Sequence, residues 1–247
     1  MHKNNFVPEN NNIHSKLTCV SGYWEIKNKH GNSFNEWFKN TLKINCPYIF
    51  FGDKKTIELV KYHRYMLPTY YIEININEFK TYKYKEKMFT DPYHCPSAEL
   101  NLVWNEKLFF IQKASEINPF SSEFFCWVDA GIPLYRDVPP PSKPFPNLEK
   151  LNNFPKDKFI YSTSETETFN KDIFNKNKMF NHHVSGCYIL HKNIINKFVS
   201  IYSKYLNLYK NNIPTDQIIL TSIYEDHKKL FYKCCHGYGN IIKYLFY

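Results

Sequence analysis

The chain alternates short apolar runs with amphipathic stretches, and the order of the two is informative from the start. Leu17 to Ser21 reads as a buried strand that gives out at Gly22-Tyr23-Trp24. Ser33-Phe-Asn-Glu36 has the spacing of a capping box and opens a helix whose Phe34, Trp37, Phe38 and Leu42 share a face. Pro47 to Gly52 is a second strand ending at Asp53, Lys54 to Arg64 a second amphipathic helix bearing Ile57 and Val60, and Tyr70 to Ile76 alternates as a third strand. Strand, helix, strand, helix, strand predicts a parallel α/β sheet.

The pattern then changes. Tyr82 to Pro96 is basic, aromatic and irregular, and Ser97 caps a long helix striped by Leu100, Val103, Trp104, Leu108 and Ile111. Lys107 falls inside that apolar stripe, so its ammonium needs an anion, Asp129 or a substrate phosphate, unless its four-carbon stem carries it out past the core. Phe124 to Ile132 follows as the central strand, Phe-Phe-Cys-Trp-Val and then Asp129-Ala-Gly-Ile. The proline-rich stretch around Pro139 to Pro146 reads as a stiff loop, Lys158 to Thr163 as a strand, and Ser164 to Lys178 as a polar, mobile segment. Asn181 to Leu190 is a further strand with Gly186 inside it, where a ligand or another backbone comes close. A helix carrying Ile194, Ile195, Phe198, Ile201 and Tyr202 comes next, then a shorter one started by Thr215 or Asp216 with Ile218, Ile219 and Ile223 buried, and finally a glycine-punctuated turn, Cys234 to Asn240, that displays His236.

Composition narrows the class. A length of 247 residues with 43% hydrophobic and 18% aromatic residues supports one domain over 17–247, preceded by a loosely held segment over 1–16. The net charge of +9 favours acidic partners, but the lysines are dispersed, with no run of five or more. Seven cysteines without a C-x-x-C pair argue against a zinc knuckle or a disulfide scaffold, and Cys19, Cys126 and Cys187 read as reduced core residues. With no run of eighteen apolar residues and no apolar core in the first fifteen, the expected location is cytoplasmic.

The candidate chemistry gathers at element ends. Asp129 stands where a buried strand gives out, with Ala130 and Gly131 leaving the backbone approachable, which is where an open α/β sheet presents a ligand oxygen; a simple capping or turn role is the alternative. Tyr23 or Trp24 can stack on a base or close the core, and Asp216 can cap its helix or carry chemistry with Gln217 beside it.

Taken together, Thr18-Cys-Val-Ser-Gly-Tyr, Trp37, Phe50-Phe-Gly-Asp53, Arg64, Asn101-x-x-Trp104-x-x-Lys107, Phe125-x-Trp-Val-Asp-Ala-Gly-Ile132, Val184-Ser-Gly186 and Thr215-Asp-Gln217 resemble the HtrL/YibB (WlaTC/HtrL) family, read as glycosyltransferases, over most of residues 17 to 235. The resemblance implies a GT-A-like fold: a mixed, mostly parallel sheet flanked by helices, with a nucleotide-binding half and an acceptor half. It also implies transfer of a sugar from a nucleotide-diphosphate donor such as a UDP-sugar to a glycan or protein acceptor. On that reading Asp129 holds Mn²⁺ or Mg²⁺, with His236 as a second ligand because a single carboxylate is too few. Lys107 meets the diphosphate, Asp216 with Gln217 and Lys107 forms the catalytic group, and Tyr23, Trp24, Asp53, Lys107, Gly186 and Lys243 contact the donor. The pairing of His236 with Lys243 is similar to the C-terminal segment of glycogenin-like enzymes. Two other functions stand beside this one: a non-catalytic binding protein of the same fold, consistent with the single carboxylate, and a basic nucleic-acid-binding protein, which the dispersed lysines disfavour.

Overall fold

The computed structural model describes residues 13–28, 30–31, 33–164 and 183–247. The N-terminal stretch before Ile13 and most of the polar segment expected to be mobile, residues 165–178, lie outside the described residues.

The expected alternation is present. β1 (Leu17–Tyr23), α1 (Ser33–Thr41), β2 (Tyr48–Gly52), α2 (Lys54–His63) and β3 (Thr69–Glu73) form the first half, and α3 (Ala98–Ile117) crosses back to β4 (Phe124–Trp127). The second half holds α4 (Leu148–Asn152), β5 (Phe159–Thr163), β6 (Val184–His191), α5 (Lys192–Leu208), α6 (Asp216–Asp226), β7 (Phe231–Cys235) and α7 (Asn240–Phe246). The seven strands make one sheet in the order β3-β2-β1-β4-β6-β5-β7. Every pairing is parallel except those of β6, which runs antiparallel to both β4 and β5. The mixed, mostly parallel sheet flanked by helices is the architecture expected above.

Side chains alternate between the two faces of the sheet with the period of two that a strand imposes. Val20, Phe125, Trp127, Tyr188 and Leu190 face a core shared with α3, α5 and α6, while Leu17, Cys19, Cys126, Cys187 and Ile189 face one shared with α1, α2 and α7. Cys19, Cys126 and Cys187 are free thiols in this second layer, as expected.

The differences from expectation are local. The third strand stops at Glu73 because the Glu78 carboxylate accepts the Asn75 N–H and fixes a 3₁₀ turn over Ile76–Glu78. The irregular connection contains a second 3₁₀ segment, Tyr82–Lys87. Cys234 and Cys235 finish a strand instead of starting the turn, and the chain after the turn is helical. The spacing of the buried Ile241, Ile242, Leu245 and Phe246 was a readable signal for that last helix.

Candidate active site

The strand order reverses between β1 and β4: the chain runs outward from β1 to β3, then returns through α3 to the other side of β1. In open α/β sheets the crevice outside the carboxyl ends of the strands at such a reversal is where ligands bind. A cavity of about 430 Å³ lies there. It is lined by Tyr23 from the end of β1, by Trp127, Asp129, Ala130 and Gly131 at the end of β4, by Trp104 and Lys107 of α3, and by Asp216 and Gln217 at the start of α6.

The floor is built by the end of β4. The Val128 N–H donates to the Val20 carbonyl at 2.9 Å and the Ser21 hydroxyl donates to the Val128 carbonyl at 2.7 Å, so the strand end is clamped one residue before Asp129. Asp129 keeps the parity of Phe125 and Trp127 and therefore turns toward α3. There Lys107 Nζ meets Asp129 Oδ1 at 2.9 Å and Asp216 Oδ2 at 3.0 Å, with side-chain exposures of 4% for Lys107, 19% for Asp129 and 4% for Asp216. The lysine does not snorkel. It is the buried cation that joins two carboxylates from distant parts of the chain.

Polar residues of α3 explain how α6 reaches it. The Asn101 amide donates to the carbonyls of Phe89 and Ile213, the Asn105 amide donates to the Pro214 carbonyl at 3.0 Å, and the Tyr202 hydroxyl donates to Asn105 Oδ1 at 2.7 Å. The segment that enters α6 is thus tied to the helix that carries Lys107. Thr215 occupies the capping position of α6 without a side-chain cap bond, and Asp216 is the first helical residue, with its carboxylate turned to Lys107.

The electrostatics follow from burial. Desolvation alone would push the Lys107 ammonium down, but the two carboxylates outweigh it and hold the group above the ordinary lysine range. Burial pushes the Asp216 carboxyl up; Lys107 pulls it back and the neighbouring charge of Asp129 adds to the rise.

Asp129 is held from two further directions. The Trp127 indole donates to Oδ1 at 2.6 Å, and the Tyr238 hydroxyl donates to Oδ2. Tyr238 sits between Gly237 and Gly239, both with positive φ (94° and 77°), a conformation that glycine adopts without the Cβ penalty. The glycine-punctuated turn therefore aims Tyr238 at Asp129, and His236 does something else: its Nδ1 lies 2.6 Å from the Thr163 hydroxyl, and it is not among the cavity-lining residues.

Gly186 has the close approach its position suggested. Trp127 pairs with Tyr188 across β4 and β6, and continuing that register sets Asp129 opposite Gly186. A Cβ there would lie 2.7 Å from Asp129 Oδ2 and 3.0 Å from the Tyr238 ring. Gly186→Ala should therefore push the carboxylate and the ring apart and cost about 1–3 kcal/mol. At about 2–4 °C per kcal/mol for a chain of this size, a thermal melt would read a clear drop, and an unchanged midpoint would show the contact to be slack.

The other expected site residues divide. Tyr23 lines the cavity, its ring stacked on Phe34 and its hydroxyl donating to Asn35 Oδ1. Trp24 touches the cavity but belongs to the core: it is 3% exposed, packs on Phe79 and Phe110, and donates its indole N–H to the Ile74 carbonyl. Gln217 lines the cavity and reaches the Val184 carbonyl. Asp53 caps α2 by accepting the Thr56 N–H at 2.8 Å, Lys243 is exposed on α7, and neither lines the cavity. Arg136, which the sequence did not single out, does line it, with its guanidinium carbon 3.9 Å from the centre of the Trp37 ring.

A divalent ion does not fit the donor set assembled here. Lys107 Nζ takes the space between Asp129 and Asp216, and Asp129 already receives donors on both oxygens. Among the described residues no group of three or more His, Cys, Asp or Glu side chains could hold a metal.

No curated protein matches the chain. Among solved structures it is similar to 4-diphosphocytidyl-2C-methyl-D-erythritolsynthase from Anaerococcus prevotii DSM 20548, with a TM-score of 0.45 and 13% identity over 90% of this chain and 87% of that one. It is also similar to the apo-form glycosyltransferase GlyE of Streptococcus pneumoniae TIGR4, with a TM-score of 0.41 and 8% identity over 86% of this chain and 44% of that one. Residues 73–243 match the family described as "Bacterial protein of unknown function (HtrL_YibB)", well over half of the chain, and the protein belongs to that family.

Proposed function

We propose that this protein is a glycosyltransferase that moves a sugar from a nucleoside-diphosphate donor to a hydroxyl of a glycan or protein acceptor. The observation that carries the reading is the buried Lys107 ammonium joining Asp129 and Asp216 at the floor of a cavity at the strand-order reversal. A volume of about 430 Å³ is in the range of small-molecule sites. Tyr23, Phe34 and Trp104 on its walls offer faces for a base or a sugar ring.

In this reading the acceptor oxygen bonds to the anomeric carbon as the bond from that carbon to the phosphate oxygen breaks. Asp216 takes the acceptor proton. Its burial favours the role, since a raised carboxyl is a better proton acceptor near neutral pH. Lys107 keeps both carboxylates in place, and Tyr238 and Trp127 fix the orientation of Asp129 toward the sugar. Manganese or magnesium has no described ligand set here, so the donor should bind without it.

A thermal-shift series with UDP-, GDP- and CMP-sugars, each with Mn²⁺ and with EDTA, tests the proposal. Saturation at about a hundred times Kd should stabilise the fold by about 2.7 kcal/mol, for one nucleotide class and equally in EDTA. A shift that needs Mn²⁺ would restore a metal to the site. Stabilisation with no turnover against any acceptor would favour a binding protein, and no shift with any nucleotide would remove the reading.

A further inference from the structure

We propose that Arg136 is the anion anchor of this cavity, holding the phosphate oxygens of the donor and of the departing nucleoside diphosphate. The inference rests on the transferase reading and names the group that meets the leaving charge.

A departing diphosphate must be met by positive charge placed in advance. Lys107 cannot supply it. One ammonium between two carboxylates leaves that cluster with an excess of negative charge, which repels a second anion at its edge. The donor set leaves no place for a divalent ion between the carboxylates. Among the described residues, the other lysine or arginine on the cavity wall is Arg136.

Its surroundings suit an anion. Arg136 follows the 3₁₀ turn Pro133–Tyr135 just beyond the Asp129-Ala-Gly segment. The guanidinium carbon lies 3.9 Å from the centre of the Trp37 ring, a contact that holds the group without using its N–H donors. Its Nε is buried and has no hydrogen-bond partner. Burial lowers its pKa, and the neighbouring Asp137 carboxylate works against that shift. Neither carboxylate of the Lys107 cluster is paired with it. A planar fork held against the Trp37 ring, with a donor to spare, matches two phosphate oxygens better than an ammonium would.

Calorimetric titration of the wild type, Arg136→Gln and Arg136→Lys with inorganic pyrophosphate, UDP and uridine decides the matter. Arg136→Gln should weaken pyrophosphate and UDP about tenfold or more, the scale of a hydrogen bond to a charged group, and leave uridine binding unchanged. Arg136→Lys should recover part of the loss, since the charge returns without the fork. A purely structural role would lower the melting temperature and weaken all three ligands together.

Pyrophosphate and UDP affinities in Arg136→Gln within twofold of wild type would overturn the anchor while leaving the transferase reading in place. Pyrophosphate binding that depends on Arg136, with no nucleotide or nucleotide sugar bound, would keep the anchor and remove the transferase reading. A wild type that binds neither pyrophosphate nor UDP would overturn the anchor.

Discussion

Lys107→Met should destabilise the protein by about 3–5 kcal/mol at neutral pH, because it leaves two buried carboxylates with their shared cation gone. That is a large fraction of the 5–15 kcal/mol of a typical domain. The solvent-exposed pairs of this chain, such as Lys39 with Glu36 or Lys61 with Glu58, should change stability little when broken. The sign of the pH dependence separates this from simple loss of packing. In the variant, burial raises the Asp216 carboxyl with no ammonium to pull it back, so between the unfolded and folded pKa values the folded state holds the extra proton. Stability of the variant then rises as pH falls from 7 toward about 4. In the wild type the contribution of Lys107 is fully present below the unfolded lysine value of about 10.4 and is lost as pH climbs above it, since the folded value is raised. Urea denaturation of both proteins at pH 5 and pH 7 measures the difference. A gap that does not narrow at pH 5 would mean that the carboxylates are not what the lysine compensates. Turnover, once a donor is identified, should fall with the same substitution, since both carboxylates lose their position.

Arg64→Met should cost a similar amount, about 3–5 kcal/mol, with no effect on ligand binding at the cavity. Arg64 is 1% exposed, and its guanidinium donates to the carbonyls of Leu42 at 2.6 Å, Ile44 at 3.1 Å and Cys46 at 2.7 Å, with Nε donating to the Thr69 hydroxyl at 2.8 Å. Its guanidinium carbon lies 3.9 Å from the Tyr48 ring centre. Three of those acceptors lie in the connection from α1 into β2, so one side chain satisfies the backbone of a buried turn that has no ladder of its own. Removing it orphans carbonyls that each cost about 1–3 kcal/mol when left unpaired, less whatever the turn recovers by relaxing. Arg64→Lys should restore only part, because one ammonium cannot span acceptors that the planar fork reaches together. A melting temperature within about 3 °C of wild type for Arg64→Met would show that the turn is held by other contacts.

Much of the architecture was readable from local patterning. β1, β2, β4 and β6 appear as apolar runs, and α1, α2, α3, α5 and α6 as stripes of buried residues, because burial of one face imposes a period on the residues themselves. Asp129 and Lys107 were legible for a related reason: a carboxylate at the end of a buried strand and an ammonium on an apolar helix face each break a local rule, and each needs a partner. The partner was partly legible too. Lys107 does meet Asp129, but nothing in the spacing marked Asp216 as the second carboxylate on the same ammonium.

The His236 turn shows where local reading stops. Its glycines were visible, but which of its residues faces Asp129 depends on the backbone path through Gly237 and Gly239 and on β7 laying the turn beside β5. That path sends Tyr238 to the carboxylate and His236 to Thr163. Arg136 was hidden for the same reason, since its contact with Trp37 joins the end of β4 to α1, two segments remote in sequence.

By itself, then, the sequence determined most of the strands and helices, the parallel α/β alternation, and the two buried or strand-end charges that had to be compensated. Those follow from hydrophobic period and from the cost of an unpaired charge, which act within a few residues. Only the tertiary structure decided that Lys107 bridges Asp129 and Asp216, that Gly186 and Tyr238 close around Asp129, and that Arg136 faces the same cavity. Strand register and helix docking set these contacts, because they depend on where remote segments come to rest and not on the pattern within any one of them.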